Sequence, residues 1–205
     1  MSREIRIHVE GGGDARETKQ DLRRGFGEFL SELRDKAREE RICWTIVACG
    51  SKRKTLDFFD TAIKQHPDAF NVVLVDSDGP VTGKRLEHLR DHDQLEVLGV
   101  HEEQCHLMVQ IMEAWFLCDP ETLKEYYGQG FRERPIPKTT DVEQIDRDEV
   151  KSILREATRG TKTKGEYHKT RHAPEILERI DASKVRNRSH HCRLLFDTIE
   201  DSFQE

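Results

Sequence analysis

The stretch at residues 69–78, AFNVVLVDSD, decides the fold that we predict for this chain of 205 residues. Its apolar run is rich in β-branched residues and is continuous rather than alternating, which is typical of a strand covered on both faces. Such strands occur in parallel sheets that carry helices on both sides. Because the run ends in Asp76 and Asp78, it predicts a buried strand with charges at its carboxyl end.

The segments around this strand predict the same architecture. Strands alternate with helices along the first hundred residues, and this βαβαβαβ order indicates an α/β fold with a mostly parallel sheet flanked by helices. Ligands of such sheets bind at the carboxyl ends of the strands. The other predicted elements here are strands at residues 4–9, 43–50 (buried) and 95–100, and helices at about 14–38, 51–65 and 85–90.

The second half of the chain is predicted to be mostly helical. A helix that contains Glu113 and Trp115 follows a short strand near residues 106–110, and Asp119 with Pro120 predicts the start of another, which Gly128 ends. Further helices are expected at residues 147–158, 173–180 and 189–202, with loops at 131–141 and 159–172. We therefore expect an α/β domain over residues 1–118 and a helical extension over 119–205, packed together as one compact unit.

Composition and charge restrict where the protein is expected to act and what it is expected to contact. Charged residues make up 36% of the chain, and no window of 18 apolar residues is present. Because the amino terminus also lacks an apolar signal region, we expect a cytoplasmic protein without a membrane span. The net charge is −9 over residues 1–150 and +7 over residues 151–193. The basic segment predicts either a face that meets phosphate groups or an ordinary coating of solvated helices.

Acidic residues follow two of the predicted strands. Glu10 ends the first strand, and Asp76 and Asp78 end the third. Alternate residues of an extended segment point the same way, so Asp76 and Asp78 are expected to share one target. If the two strands are neighbours, three carboxylates meet at one sheet edge, where repulsion requires protonation or a cation. Hard oxygen ligands favour Mg²⁺ or Mn²⁺.

Three glycines, Gly11, Gly12 and Gly13, follow Glu10 directly. Because they carry no Cβ, a polyanion can approach their backbone closely, and their N–H groups can face a phosphate. A flexible turn is the alternative interpretation.

The Asp-x-Asp pattern is shared by several protein classes. An aspartate after a strand can simply cap the next helix. Haloacid-dehalogenase-type phosphatases carry DxDG with the first aspartate as nucleophile, and nucleotide-sugar glycosyltransferases carry DxD as a metal site. The phosphatase hypothesis gives Glu10 no role.

The chain resembles the Toprim domain superfamily, the metal-binding fold of topoisomerases, primases and several nucleases. The resemblance rests on VEGGGD at residues 9–14 and VDSD at residues 75–78. VEGGGD is especially similar to the EGxxD of overcoming-lysogenization-defect-type nucleases. MVQIMEAWFLCD at residues 108–119 and KGEYHKTRH at residues 164–172 resemble segments of a small stand-alone Toprim-like prokaryotic family associated with ATPases and phage defence.

The resemblance implies metal-dependent phosphodiester chemistry. Asp76 and Asp78 would bind Mg²⁺ or Mn²⁺, and Glu10 would bind metal or act as a general acid or base. The EGxxD pattern adds Asp14 as a metal ligand. Glu113, which follows a predicted strand, would complete a second metal shell; a glutamate on the surface of a helix is the alternative.

Candidate substrate contacts lie in the basic loop and in the glycine triplet. Lys164, Lys169 and His172 would contact phosphate, and His172 could instead donate a proton. Tyr167 would stack on a nucleotide or, alternatively, pack against the following helix.

We expect a Mg²⁺-dependent nuclease that acts on DNA or RNA, with little activity alone and under the control of a partner ATPase. No base-reading motif distinguishes DNA from RNA. The alternatives are a non-catalytic Toprim-like binding module and a DxDG-type phosphatase.

Overall fold

A computed structural model describes residues 3–93 and 99–204. Its sheet has four parallel strands in the order β2–β1–β3–β4, flanked by helices. The strands are β1 Glu4–Glu10, β2 Cys43–Gly50, β3 Ala69–Asp76 and β4 Cys105–Met108. The helices are α1 Arg16–Phe29, α2 Ser31–Glu39, α3 Lys52–Gln65, α4 Arg85–Asp93, α5 Glu113–Phe116, α6 Pro120–Tyr127, α7 Arg147–Thr158, α8 Lys169–Leu177, α9 Ala182–Arg188 and α10 His190–Asp201.

The continuous apolar run of β3 is buried on both faces of the sheet, as its sequence predicts. Val72 and Leu74 belong to one hydrophobic core, and Val73 and Val75 belong to the other. Successive side chains of a strand point to opposite faces, so a strand between two cores needs apolar residues at every position.

The two cores differ in size. The smaller core is built largely from α3 and α4, with Phe59 and Leu89 fully buried against β3. The larger core combines α1 and α2 with the carboxyl-terminal helices. Trp115 is fully buried and stacks on Phe29 at a ring-centroid distance of 5.1 Å. Residues 1–118 and 119–205 therefore both contribute to the larger core.

Helix boundaries follow the predicted capping signals. The Ser51 hydroxyl accepts a hydrogen bond from the N–H of Lys54 at the start of α3. Asp119 caps α6, Pro120 lies in its first turn, and Gly128 ends it with φ +64°. None of the helices in the described ranges is both long and apolar enough to cross a membrane.

Several predicted boundaries are wrong. The helix expected at residues 14–38 is two helices, α1 and α2, because Leu30 leaves the helical conformation while remaining fully buried. Strand β2 is only partly buried, because it lies at the edge of the sheet, and Cys43 is exposed. Helix α8 begins at Lys169, which is earlier than predicted, and α9 was not predicted. The strand predicted at residues 95–100 lies mostly outside the described residues.

Candidate functional site

The strand order creates a crevice at the carboxyl ends of β1 and β3. In the strand order, β2 lies next to β1 on one lateral side and β3 lies next to β1 on the other, so the direction of the chain reverses at β1. Ligands of open α/β sheets bind at such a switch point, outside the carboxyl ends of the strands.

Glu10 and Asp76 meet at this switch point. Each is the last residue of its strand, and the N–H of Asp76 donates a hydrogen bond to Glu10 Oε2 at 3.0 Å. Asp76 Oδ1 also accepts a hydrogen bond from the N–H of Met112 at 2.8 Å. The prediction that Glu10 approaches the acidic pair after β3 is confirmed for Asp76.

Both carboxylates have raised pKa values. Burial raises the pKa of Glu10 to about 8, and the charge of Asp76 adds to that rise. Burial raises the pKa of Asp76 to about 6. The positive charge of Lys169 opposes this rise only in part, and the negative charge of Glu113 adds to it. The pair is therefore short of positive charge, and a cation bound beside it would favour its ionised form.

Asp78 does not share the surroundings of Asp76, contrary to the prediction from alternation. Strand β3 ends at Asp76, and Asp78 adopts φ +57°, so the two-residue period of a strand does not reach it. One Asp78 carboxylate oxygen accepts a hydrogen bond from Lys52 Nζ at 2.5 Å, and the other accepts one from Arg147 at 3.2 Å. These cations lower the pKa of Asp78 even though burial opposes them.

Glu113 lies at the start of α5 and is only 2% exposed, so the surface-glutamate alternative is wrong. Its Oε1 accepts a hydrogen bond from the Tyr167 hydroxyl at 3.0 Å. Lys169 Nζ lies 3.4 Å from the same oxygen and 3.5 Å from Asp76 Oδ2. Burial alone would lower the pKa of Lys169, but Asp76 and Glu113 raise it to about 12. Lys169 is thus a charged group held between two buried carboxylates.

The glycine loop after β1 is fixed by close contacts. Gly11 donates a backbone hydrogen bond to Gly50 O at 2.7 Å. Their φ values are +118° and +104°, and a Cβ added at Gly11 would lie 2.9 Å from Leu22 Cδ2. A Cβ added at Gly50 would lie 2.9 Å from the carbonyl oxygen of Gly13. The glycines therefore allow a tight approach of two strand ends, which a freely flexible turn would not require.

A cavity of about 350 Å³ lies beside the acidic pair. Its polar lining includes Glu10, Asp76, Lys169, the glycine triplet and Ser51. The N–H groups of Gly12 and Gly13 make no hydrogen bond to any of the residues that the structure describes, so they are available to a phosphate in this cavity.

Asp14 lies at the rim of this cavity, away from the acidic pair. Its side chain is 80% exposed and is paired with Lys54 Nζ, which lowers the pKa of Asp14. As positioned, Asp14 binds a lysine of α3 rather than extending the Glu10–Asp76 pair.

Three residues predicted to bind substrate are engaged elsewhere. Lys164 pairs with Glu175 at 2.8 Å. His172 is 1% exposed and lies 3.1 Å from the Tyr127 hydroxyl, and burial lowers its pKa to about 4. The Tyr167 ring packs edge-on against Phe116. Of the residues predicted to contact substrate, Lys169 and the glycine triplet line the cavity, whereas these three do not. Their role in substrate binding stays a prediction.

Two lysines of the site were not predicted. Lys52 contacts both Asp78 and Asp93, and Lys54 lines the cavity. Their sequence signal is the SKRK stretch at residues 51–54, which directly follows the carboxyl end of β2.

The donor set fits an open magnesium site better than a closed one. Among the described residues, no three histidine, cysteine or acidic side chains form a ready cage for a metal ion. Mg²⁺ usually keeps several waters and takes only one or two carboxylates together with substrate phosphates. Glu10 and Asp76 supply two such carboxylates beside a cavity. Glu113 Oε2, buried and without a hydrogen-bond partner in the described chain, adds an unsatisfied oxygen to this region.

A family model described as "Domain of unknown function (DUF4276)" matches residues 9–200. No curated protein and no solved structure matches the chain.

Proposed function

We propose that this chain, which belongs to the DUF4276 family, hydrolyses phosphodiester bonds in DNA or RNA with the help of Mg²⁺ or Mn²⁺. The observation that carries the proposal is the contact of Glu10 with Asp76 at the switch point of the sheet, beside a cavity lined by glycines and lysines. A pair of carboxylates with raised pKa values in a cleft is typical of a functional site.

Each group has a role in this proposal. Glu10 and Asp76 would hold the cation, which lowers the pKa of a bound water and neutralises charge that develops on the phosphate. Glu10 Oε2 is fixed by the Asp76 N–H, so Glu10 Oε1 would take the proton of the attacking water. Lys169 and the N–H groups of Gly12 and Gly13 would contact phosphate oxygens. Glu113 would orient Lys169 through their contact at 3.4 Å.

The proposal carries the Toprim resemblance forward. The acids after β1 and β3 match the glutamate and the first aspartate of the Toprim pattern, whereas Asp78 departs from it in its pairing with Lys52 and Arg147. In a metal-bound form, Asp78 would have to exchange these partners before it could bind the ion. Control by a partner ATPase in phage defence belongs to the same proposal.

A non-catalytic binding module is the second candidate. It is favoured by Lys169, whose ammonium group already neutralises part of the negative charge of Asp76 and Glu113. A DxDG-type phosphatase is less favoured, because it would need Asp78 as a mobile acid and would leave Glu10 without a role.

The test is cleavage of single-stranded and duplex DNA and RNA in Mn²⁺ or Mg²⁺, both by the chain alone and together with any ATPase that an adjacent gene encodes. We expect E10Q and D76N to lose at least about a hundredfold in rate, the scale of one general-base or metal contribution. Asp68 lies exposed before the other end of β3, so D68N is the matched control and should keep the wild-type rate. Equal rates in D76N, D68N and wild type would refute the proposal, and absence of any cleavage would favour the binding module.

A further inference from the structure

The cavity beside Glu10 has an apolar wall in addition to its charged groups. Leu22, Met108, Met112, Ala173 and Pro174 line it together with the acids and lysines. The first four of these side chains are at most 4% exposed, so they form a fixed surface rather than a mobile rim. A cavity that held only a phosphate and a metal ion would not require such a wall, because both are strongly hydrated.

Helices α1 and α8 close the far side of the cavity. A Cβ added to Gly25 of α1 would lie 2.7 Å from the carbonyl oxygen of Pro174, so the two helices are in backbone contact there. The volume of about 350 Å³ is near the lower end of the range of about 300–1,000 Å³ for small-molecule sites. A duplex cannot enter such a cavity, whereas one unstacked nucleotide can.

We propose that this cavity binds one nucleotide unit of a nucleic acid, with the phosphate at the charged groups and the nucleoside against the apolar wall. The inference rests on the proposed function and narrows its substrate to a strand end or an unpaired nucleotide.

The charged part of the cavity suits a phosphate in one position. Lys169 reaches it from the first turn of α8, and Lys54 reaches it from α3. The unengaged N–H groups of Gly12 and Gly13 lie in the same lining. Each of these groups offers hydrogen-bond donors only, and the two lysines are positively charged, so an anion suits them better than a neutral ligand does.

The apolar part suits the flat face of a base and the sugar. Met108 and Met112 carry polarisable thioethers, which make favourable contacts with aromatic rings without requiring one hydrogen-bonding pattern. None of the cavity's apolar side chains offers a hydrogen bond to a base edge, so we expect little discrimination among the four bases.

The experiment measures binding rather than cleavage. Adenosine 5′-monophosphate, adenosine 3′-monophosphate, adenosine and inorganic phosphate are titrated into the full chain with Mg²⁺ by calorimetry. We expect at least one monophosphate to bind about tenfold or more tightly than adenosine or phosphate alone, because only it fills both parts of the cavity. Equal affinity of the monophosphates and inorganic phosphate would overturn the inference.

A matched pair of variants locates the binding. Thr170 is exposed and lines the cavity, whereas Thr163 is exposed outside it. We expect T170W to weaken monophosphate binding about tenfold and T163W to leave it unchanged, with circular dichroism checking the fold of both. Equal affinities of T170W and wild type would also overturn the inference.

The outcomes separate this inference from the proposed function. Monophosphate binding that T170W weakens, in a chain that cleaves no nucleic acid, would support the nucleotide cavity while the proposed catalysis fails. The opposite result is metal-dependent cleavage that D76N abolishes, together with monophosphates that bind no better than phosphate. It would refute the nucleotide cavity and support the proposed function.

Discussion

Four largely buried carboxylates of this protein form two groups whose pKa values are shifted in opposite directions. In the carboxyl-terminal helices, Asp119 and Glu143 have lowered pKa values despite burial. At the carboxyl-terminal edge of the sheet, where β1 and β3 end, Glu10 and Asp76 have raised pKa values. Because all four are carboxylates largely removed from water, the difference must come from their hydrogen-bond and charge partners.

The helical group is saturated with donors. Asp119 accepts hydrogen bonds from the Thr122 side chain, from the N–H of Asp181 and from Lys184. Glu143 accepts them from the Ser189 hydroxyl and from the backbone and ring of His191. These carboxylates join helix starts to one another, and their ionised form is the one that the fold requires.

The sheet-edge group is short of donors. Glu10 receives one backbone N–H and faces the Asp76 carboxylate. The fold keeps this destabilising arrangement at a cavity, where a ligand can supply the missing positive charge. The comparison teaches that burial alone does not mark a functional acid; burial without sufficient partners does. Four measurements test this distinction.

The largest effect is expected in the saturated group. We expect E143A to lower the free energy of unfolding by about 4 kcal/mol, because it leaves the donors of Ser189 and His191 buried without their acceptor. Chemical denaturation measures this change. E133A is the control, since Glu133 is exposed, and it should stay within about 0.5 kcal/mol of wild type. A loss in E143A as small as in E133A would mean that the Glu143 contacts are not structural.

The next effect is a pH dependence with the opposite sign from the usual carboxylate. The pKa of Glu10 is about 8 in the folded protein and 4.5 in its ordinary state. The folded protein therefore holds a proton that the unfolded chain has lost between these values, and stability falls as pH rises from 4.5 through 8. In metal-free buffer we expect E10Q, which mimics the protonated acid, to remove on the order of 3 kcal/mol of this fall.

The control for that measurement is E17Q, because Glu17 is exposed in the first turn of α1. Its unfolding free energy should follow the wild-type pH profile. If E10Q and E17Q have the same profile between pH 4.5 and 8, the sheet-edge acids are not under the strain that the comparison assigns to them.

Only part of the fold and of the candidate site could be predicted from the sequence. The run of β3 predicted a strand covered on both faces from its local pattern. The approach of Glu10 to Asp76 was predicted only on the condition that their strands are neighbours, which the pairing of β1 with β3 supplies. The partners of Asp78 depend on its φ of +57°, which no pattern in the strand encodes. Tyr167 meets Glu113 across 54 positions of the chain, so its burial depends on how α8 packs rather than on its basic neighbours.

A divalent ion should relieve the strain at the sheet edge. At a free Mn²⁺ concentration one hundredfold above its Kd, we expect wild type to gain about 2.7 kcal/mol of stability by linkage. D14N should gain the same, because Asp14 is exposed and paired with Lys54, whereas E10Q and D76N should gain little. Thermal unfolding with and without Mn²⁺ measures the gain. An undiminished gain in D76N would place the ion elsewhere.

The smallest effect concerns Lys169, whose ammonium group is the positive charge that the protein itself places beside Asp76 and Glu113. Its ammonium group lies 3.5 Å from Asp76 Oδ2 and 3.4 Å from Glu113 Oε1, so it competes with a divalent ion for the same negative charge. We expect K169M to bind Mn²⁺ about tenfold more tightly, which corresponds to about 1.4 kcal/mol, in direct Mn²⁺ titration. K164M is the matched control, because Lys164 pairs with Glu175 and its loss should leave Mn²⁺ affinity unchanged. Cleavage by K169M should fall while its metal affinity rises, because the same lysine is needed at the substrate phosphate. Unchanged Mn²⁺ affinity in K169M would mean that Lys169 does not share its site with the ion.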